Sequence, residues 1–568
     1  MVKKSHKKGK QFLLNLLISL LLLVGINYIA SFVFTRFDLS AEKRFTLSPA
    51  TIKLVKELDD VVYVKVYLDG EFPAGFRRLQ QATKEMLDEL KAYAGTKIEY
   101  EFINPSANTD AAARNAVYKQ LIEKGLQPTN LQEKAKGQSS QQIIFPGALL
   151  SYKSEEISLQ LLKNKIGTPP EVLLNNSVEG LEYDFAKTIR DLTAKAKPVL
   201  GFIEGHGELT EIEVGDISKT LSESYQVKRI KIAGRLSALK SCKGIIIAKP
   251  DSLFSEQDKF VIDQFIMNGG KVLWLIDGIN ASMDSLQKRA VTIAIANATN
   301  LDDQLFHYGA RINSNLLLDL QAAPIPIITG FSGNQPKQSL LPWFFFPLIT
   351  PTQNHPVVNN LNAIFCQFVS SIDTVGAKGI KKTVLLASSN YTRQLFSPVQ
   401  IGLNVIKEQP DMRQYNKHKL AVSLLLEGQF KSVFANRIPT AIAGSKEIAF
   451  KDKSVATKMI LVADGDLIKN TVKKSTGQIL PLGYDRYTGQ TYGNKTFLLN
   501  AIDYMCDETG LIAVRAKEIK LRLLDRNKVD EERFQWQLIT LTLPLLLLLI
   551  IGLLQFYFRK RKYARLES

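Results

Sequence analysis

The sequence predicts an α/β protein whose folded region is built around a largely parallel, doubly wound sheet and lies between two terminal transmembrane helices. Three observations predict this. Two uncharged apolar runs, Phe12–Phe34 and Leu538–Phe558, stand at the two ends. Between them, short β-branched runs alternate with segments of helical periodicity. The 568 residues, 45% hydrophobic and 23% charged, are enough chain for about three or four domains with buried cores.

At 1.5 Å per residue, Phe12–Phe34 spans about 34 Å as a helix, enough for a hydrocarbon core of roughly 30 Å. It is too long for the apolar region of a cleaved signal peptide, and no small-residue cleavage pattern follows it. Leu538–Phe558 carries Pro544, which should kink it, and ends in the interfacial aromatics Phe556, Tyr557 and Phe558. The formal charge of +18 is concentrated beside these runs: Lys3, Lys4, Lys7, Lys8 and Lys10 precede the first, and Arg559, Lys560, Arg561, Lys562 and Arg565 follow the second. By the positive-inside rule both tails face the cytoplasm and the intervening region lies outside, in a bacterium in the periplasm of the inner membrane. The tails can also meet anionic lipid. Once they are set aside the charge is diffuse, and nucleic acid is not expected as a partner. Cys242, Cys366 and Cys506 are far apart and odd in number, which excludes a disulfide framework and a multi-cysteine metal site.

The expected organisation is a basic tail (1–11), a transmembrane helix (12–34), an N-terminal periplasmic domain (35–194), an α/β domain (195–514), a charged juxtamembrane linker (515–537), a transmembrane helix (538–558) and a basic tail (559–568). In the first domain Thr46 and Ser48 precede a short helix with Pro49 in its first turn. Val61–Leu68 is a strand, Arg77–Ala94 a helix with Leu79, Met86, Leu87 and Leu90 on one face, and Ile98–Ile103 a strand. This βαβ-sized unit resembles half of a thioredoxin-like domain, without a Cys-x-x-Cys and so without its redox chemistry. A helical stretch follows, then the polar segment LQEKAKGQSSQQ as an exposed hairpin or loop, strands at Ile143–Tyr152 and Glu156–Leu159, and a helix at Val178–Leu192.

In the second domain, strands are expected at Val199–Ile203, Val227–Ile232, Gly244–Ala248, Lys271–Ile276 and Ile312–Leu318, and helices at Ile212–Glu223, after Ser255, and at 301–308. Five prolines between 320 and 350 break the alternation, and among them the aromatic run Trp343, Phe344, Phe345 and Phe346 is a candidate contact patch. Further strands follow at Thr383–Ala387, Leu420–Leu426 and Met459–Ala463, and a closing helix at Asn494–Met505.

Ligands of open α/β sheets bind beyond the carboxyl ends of the strands. Those ends carry Glu204, His206 and Glu208, then Asp251, Asp277, Asp464 and Asp466. They are candidate ligand or partner loops. The bland reading, polar turns that cap the following helices, stands beside it. A lone histidine makes a poor metal site, and no metal or other cofactor is expected. The chain has no G-x-S-x-G, Walker A or G-x-G-x-x-G signature, so it does not hydrolyse ATP by the P-loop route. A periplasmic hydrolase centred on His206 with Glu204 and Glu208 is the alternative reading, and a structural envelope scaffold a third.

Longer strings carry a resemblance: DLSAEKRFTLSPAT (Asp38–Thr51), VYLDGEFPAGFRRLQQATKEMLDEL (Val66–Leu90), the EGHGE loop (Glu204–Glu208) and PLGYDRYTGQTYGNKTFLLNAIDYM (Pro481–Met505). Through them the chain resembles the GldG family, gliding-motility-associated ABC transporter proteins of the Bacteroidetes lineage, over nearly its whole length. The resemblance implies a substrate-binding or auxiliary component working with an ABC ATPase and a polytopic permease, and, through the envelope setting, with envelope proteins. It also implies a central fold shared with an intraflagellar-transport protein and similar to class I glutamine amidotransferases without their catalytic triad. Two spans suit a permanent subunit better than a free binding protein.

Overall fold

The computed structural model describes residues 15–25, 46–135, 138–163, 169–194, 196–288, 291–332, 335–406, 409–437, 449–473, 475–516 and 526–563. Most of the first predicted span, 12–34, lies outside them; its described part is helix α1 (Asn15–Gly25). The chain divides into a compact unit over Met1–Glu518 and a second unit over Ile519–Ser568.

In the first unit, α2 (Pro49–Lys56) begins at Ser48, whose hydroxyl accepts from the Thr51 amide at 3.1 Å. Strand β1 (Val62–Val66) buries alternate residues, α3 (Ala74–Ala94) covers it, and β2 (Ile98–Phe102) pairs parallel to β1. After α4 (Ala111–Glu123), the polar segment forms a hairpin of β3 (Thr129–Ala135) and β4 (Gln138–Ile144). Strands β5 (Gly147–Tyr152) and β6 (Glu155–Gln160) complete a four-stranded sheet ordered β2-β1-β5-β6. Helix α5 (Pro170–Thr193) packs on it; its buried Glu182 accepts from the Ser48 amide at 2.6 Å and the Thr51 hydroxyl at 2.9 Å.

Next come β7 (Val199–Glu204), α6 (Gly215–Ser224), β8 (Gln226–Lys231), β9 (Cys242–Ala248), α7 (Glu256–Met267) and β10 (Lys271–Leu275). Strands Ile380–Ala387, Ala421–Gly428 and Thr457–Val462 join them in a seven-stranded sheet. Its order is Ile380–Ala387, Ala421–Gly428, Thr457–Val462, β10, β9, β7, β8. The five strands from Thr457–Val462 to β8 are parallel and the two outer ones antiparallel. Both faces are covered, so the central strands read as unbroken apolar runs. Ile246 and Leu273 join the core under helix Asn494–Cys506, and Ile245, Ile247 and Trp274 the core under α7.

Two expectations need correction. Predicted strand Ile312–Leu318 is two short strands outside the central sheet; Asn315–Asp319 pairs antiparallel with Thr392–Phe396. The proline-rich stretch is a long β-hairpin of Ala322–Ser332 and Gln335–Ile349, and its aromatic run is not an exposed patch. Trp343 and Phe345 are fully buried, Phe346 nearly so, and Phe344 packs edge-on against Tyr415 at 6.0 Å. The prolines misled because proline is excluded only where a ladder needs its N–H. Pro324 stands opposite Pro342. Neither has an N–H to exchange, so the pair occupies a non-hydrogen-bonded site of the ladder, where proline costs no bond.

The second unit is described as one helix, Arg526–Tyr563, running through Pro544. Its segment Glu532–Arg561, 30 residues around an uncharged apolar run, is long and apolar enough to cross a membrane.

Candidate functional site

Along the parallel strands the chain starts at β7, moves to β8 on one side, then crosses back to β9 on the other. The crevice between the ends of β7 and β9 is therefore the topological switch point where such folds bind ligands. Here the chain fills it itself. The His206 carbonyl accepts from the amides of Asp251 and Ser252, both at 3.0 Å. Gly207 takes φ +74°, a left-handed conformation that favours glycine, and a Cβ there would sit 1.6 Å from Asp251 Oδ1 and force that carboxylate aside.

The His206 ring is buried, stacked on Phe254 at 3.6 Å between ring centres. Its Nδ1 meets Glu208 at 3.0 Å and its Nε2 meets Asp258 at 3.1 Å. Two carboxylates face the two ring nitrogens, an arrangement that favours the doubly protonated imidazolium. Burial opposes that charge, but the two carboxylates outweigh it and hold the histidine pKa above its ordinary value. Burial likewise opposes ionisation of Glu208 and Asp258. For Glu208 the His206 ring and amide, and for Asp258 the Gly234 amide at 2.7 Å and the His206 ring, keep the pKa below the usual range. Asp258 lies in the first turn of α7, capped by Ser255, where a negative charge is favoured. His206 is thus a structural clamp between the β7 loop and α7, with no free ring nitrogen for base catalysis or metal binding. Glu204 stands apart from it, ion-paired with Arg229.

The remaining acids gather one strand along. Lys249 reaches Asp277 at 3.3 Å and ion-pairs with Asp466. Asp277 accepts from the Gly465 amide at 2.5 Å, and Asp464 from the Gln367 amide at 2.8 Å. One lysine faces three carboxylates out of water, and burial pushes the Asp277 pKa up to about 6 and that of Asp464 well above its usual value. A carboxyl whose pKa rises on folding stabilises the fold while protonated and loses that contribution as pH rises through its folded value. Stability should therefore fall between about pH 4 and pH 6 by the share Asp277 contributes. Asp277→Asn keeps an acceptor for Gly465, and its melting temperature should be flatter across that range. An unchanged slope would remove Asp277 from the titration.

Lys249 and Asp466 also line a cleft of about 870 Å³, within the size range of small-ligand pockets. Its lining also includes Ala323–Ile327, from the long hairpin, Phe365, Gln367 and Leu403, and Tyr484, Arg486 and Tyr487. Of the predicted site residues, the structure brings Asp277, Asp464 and Asp466 into one cluster and His206 and Glu208 into another. Asp251 is exposed and bonded through its backbone to the His206 loop, and the aromatic run contributes only Phe346 to the cleft wall. The sequence reading missed Asp258, the role of Lys249, and the cleft itself. Asp258 had one local signal, its place three residues after an N-capping serine.

Residues 197–501, more than half of the chain, match the family described as "ABC-type uncharacterized transport system". The chain belongs to this family. Residues 41–151 also match a domain of unknown function (DUF7088). The family's segment contains the whole central sheet, the His206 clamp, the acid cluster and the cleft, so these belong to an auxiliary component of an ABC-type transport system. No curated protein matches the chain. Among solved structures it is similar to one titled "mmIFT52 N-terminal domain", at 12% identity with a TM-score of 0.30, over 54% of this chain and 97% of that one.

Proposed function

We propose that the chain is a non-ATPase, non-enzymatic subunit of an ABC transporter, anchored in the bacterial inner membrane by two spans with both tails in the cytoplasm. Its α/β region would face the periplasm and bind a substrate or partner in the cleft, or pass on motion driven by ATP hydrolysis in a partner ATPase and carried through a polytopic permease. The observation that carries this reading is the family match, joined in one chain to a 30-residue apolar helix that ends in a basic cluster. The link to gliding motility rests on the resemblance to the GldG family. The hydrolase reading finds no support in a His206 ring held at both nitrogens; hydrolysis of an amide or ester by the purified chain, abolished in His206→Ala, would reinstate it.

Topology is tested by fusion. Alkaline phosphatase joined after residue 300 should be active and after residue 566 inactive; activity at 566 would mean that the second span does not cross. Coupling is tested by exchange. Replacing Leu538–Phe558 with a generic apolar helix of equal length should leave the protein in the membrane but lose the permease on purification, because subunit spans pack by shape. Retention of both would reduce the span to an anchor.

A further inference from the structure

We infer that the cleft receives an extended, uncharged peptide segment, which lies along the open edge of strand Ala322–Ser332 and donates its amide hydrogens to the carbonyls of Pro324 and Pro326. This deepens the reading of the cleft as a binding site, and its failure would leave membership in a transporter assembly untouched.

Among the described residues the strand is the outermost of its three-stranded sheet and pairs only with Gln335–Ile349. Five consecutive residues, Ala323 to Ile327, line the cleft. Successive side chains of a strand point to opposite faces, so an unbroken run along a cleft means that the strand's edge borders it. The register sets which backbone groups that edge presents. Pro324 opposite Pro342 is a non-hydrogen-bonded pair, and by alternation so is Pro326 opposite Leu340. In such pairs the backbone groups of both residues point away from the partner strand. The carbonyls of Pro324 and Pro326 therefore point off the open edge, and no hydrogen bond to either is present among the described residues. No N–H accompanies them.

An edge that only accepts selects its occupant. Two copies of this chain cannot pair edge to edge here, because each would bring acceptors to acceptors. A segment that brings N–H groups at every second residue fits, as in strand addition to other sheet edges. The rest of the lining agrees. The lining charges of the two signs nearly balance, with Lys249 paired to Asp466, Lys469 to Glu213 at 3.0 Å, and Asp485 and Arg486 adding one of each sign, so a ligand of either charge gains little. Ile325, Ile327, Phe365 and Leu403 offer apolar contact to alternate side chains. The Gln367 side-chain amide lines the cleft without a hydrogen-bond partner among the described residues and can meet a carbonyl of the segment.

The test uses the full chain in lipid nanodiscs and a fluorescein-labelled, end-blocked Thr-Val-Thr-Val-Thr-Val peptide, read by fluorescence anisotropy. Alternation fixes the register, since a slip of one residue would turn valine away from the apolar wall. Two further peptides carry N-methyl groups on the valine amides or on the threonine amides. The parent should bind, and one methylated set should bind at least about tenfold more weakly while the other stays within about twofold, as expected when only one row of amides makes hydrogen bonds. Pro326→Ala restores an outward N–H and should tighten binding of the parent. No binding of the parent, equal loss with both methylated sets, or no change in Pro326→Ala would each overturn the proposal, as would displacement of the bound peptide by a neutral saccharide or by a fatty acid but not by unlabelled peptide.

Discussion

Asp503→Ala should cost the folded unit about 3–5 kcal/mol, the largest effect expected of any single substitution described here. Asp503 lies in helix Asn494–Cys506 and is 2% exposed. Lys187, on α5, donates to it at 2.6 Å, Tyr225 at 3.0 Å and Tyr183 at 3.2 Å, and Arg190 stands 4.0 Å away. One carboxylate thus ties the helix that closes the N-terminal sheet to the central α/β layer. Burial works against its charge, but Lys187 and Arg190 outweigh burial and hold its pKa below the usual range. Its contribution is present above about pH 4 and is lost as pH falls through the lower, folded value. Removing it leaves Lys187, whose side chain is 25% exposed, without its ion-pair partner, while Arg190 keeps Asp191 at 2.7 Å and Asp507 at 3.5 Å. Asp503→Asn can still accept from Tyr225 and should lose less. Chemical denaturation of both variants at neutral pH checks the order. An alanine variant as stable as the parent would show that the two layers are held by apolar packing alone.

His206→Ala should lose a comparable amount, because it leaves Glu208 and Asp258 out of water with no cation between them. The sign of its pH dependence is two-sided. The raised histidine pKa contributes stability that is present below its unfolded value and lost as pH rises through the folded one; the lowered carboxylate values contribute stability that is lost as pH falls through them. The clamp should therefore stabilise most between these limits. A neutral His206→Gln variant should flatten both flanks of the melting-temperature profile, the acid flank below the ordinary carboxylate range of about pH 4 and the alkaline flank above the ordinary histidine value of about 6.5. If alanine at 206 left both the midpoint and the profile unchanged, the buried ion triad would not hold the switch point closed.

The parts legible in the sequence are those whose cause is local. The apolar runs of β9 and β10 betray strands buried on both faces, and Ser255 marks the start of α7 because its side chain caps the very next turn. The carboxyl-end loops were legible as a group, since the alternation of strand and helix puts them on one side of the sheet. Which of them meet was not. His206 and Asp258 are 52 residues apart and meet only because α7 begins beside the β7 loop. The long hairpin was hidden because proline counts against a strand unless the register is known, and the register is a property of two strands together. The cleft draws on residues near 210, 325, 367, 403, 470 and 486, so no single stretch of sequence could carry its pattern.

The most direct test of the account is to purify the full chain from native membranes in a mild detergent and quantify what accompanies it by mass spectrometry. An ABC ATPase and a polytopic permease should co-purify in a fixed ratio to the chain, through size exclusion and across independent preparations. Recovery of the chain alone, or with partners that vary from one preparation to the next, would contradict its place as a transporter subunit.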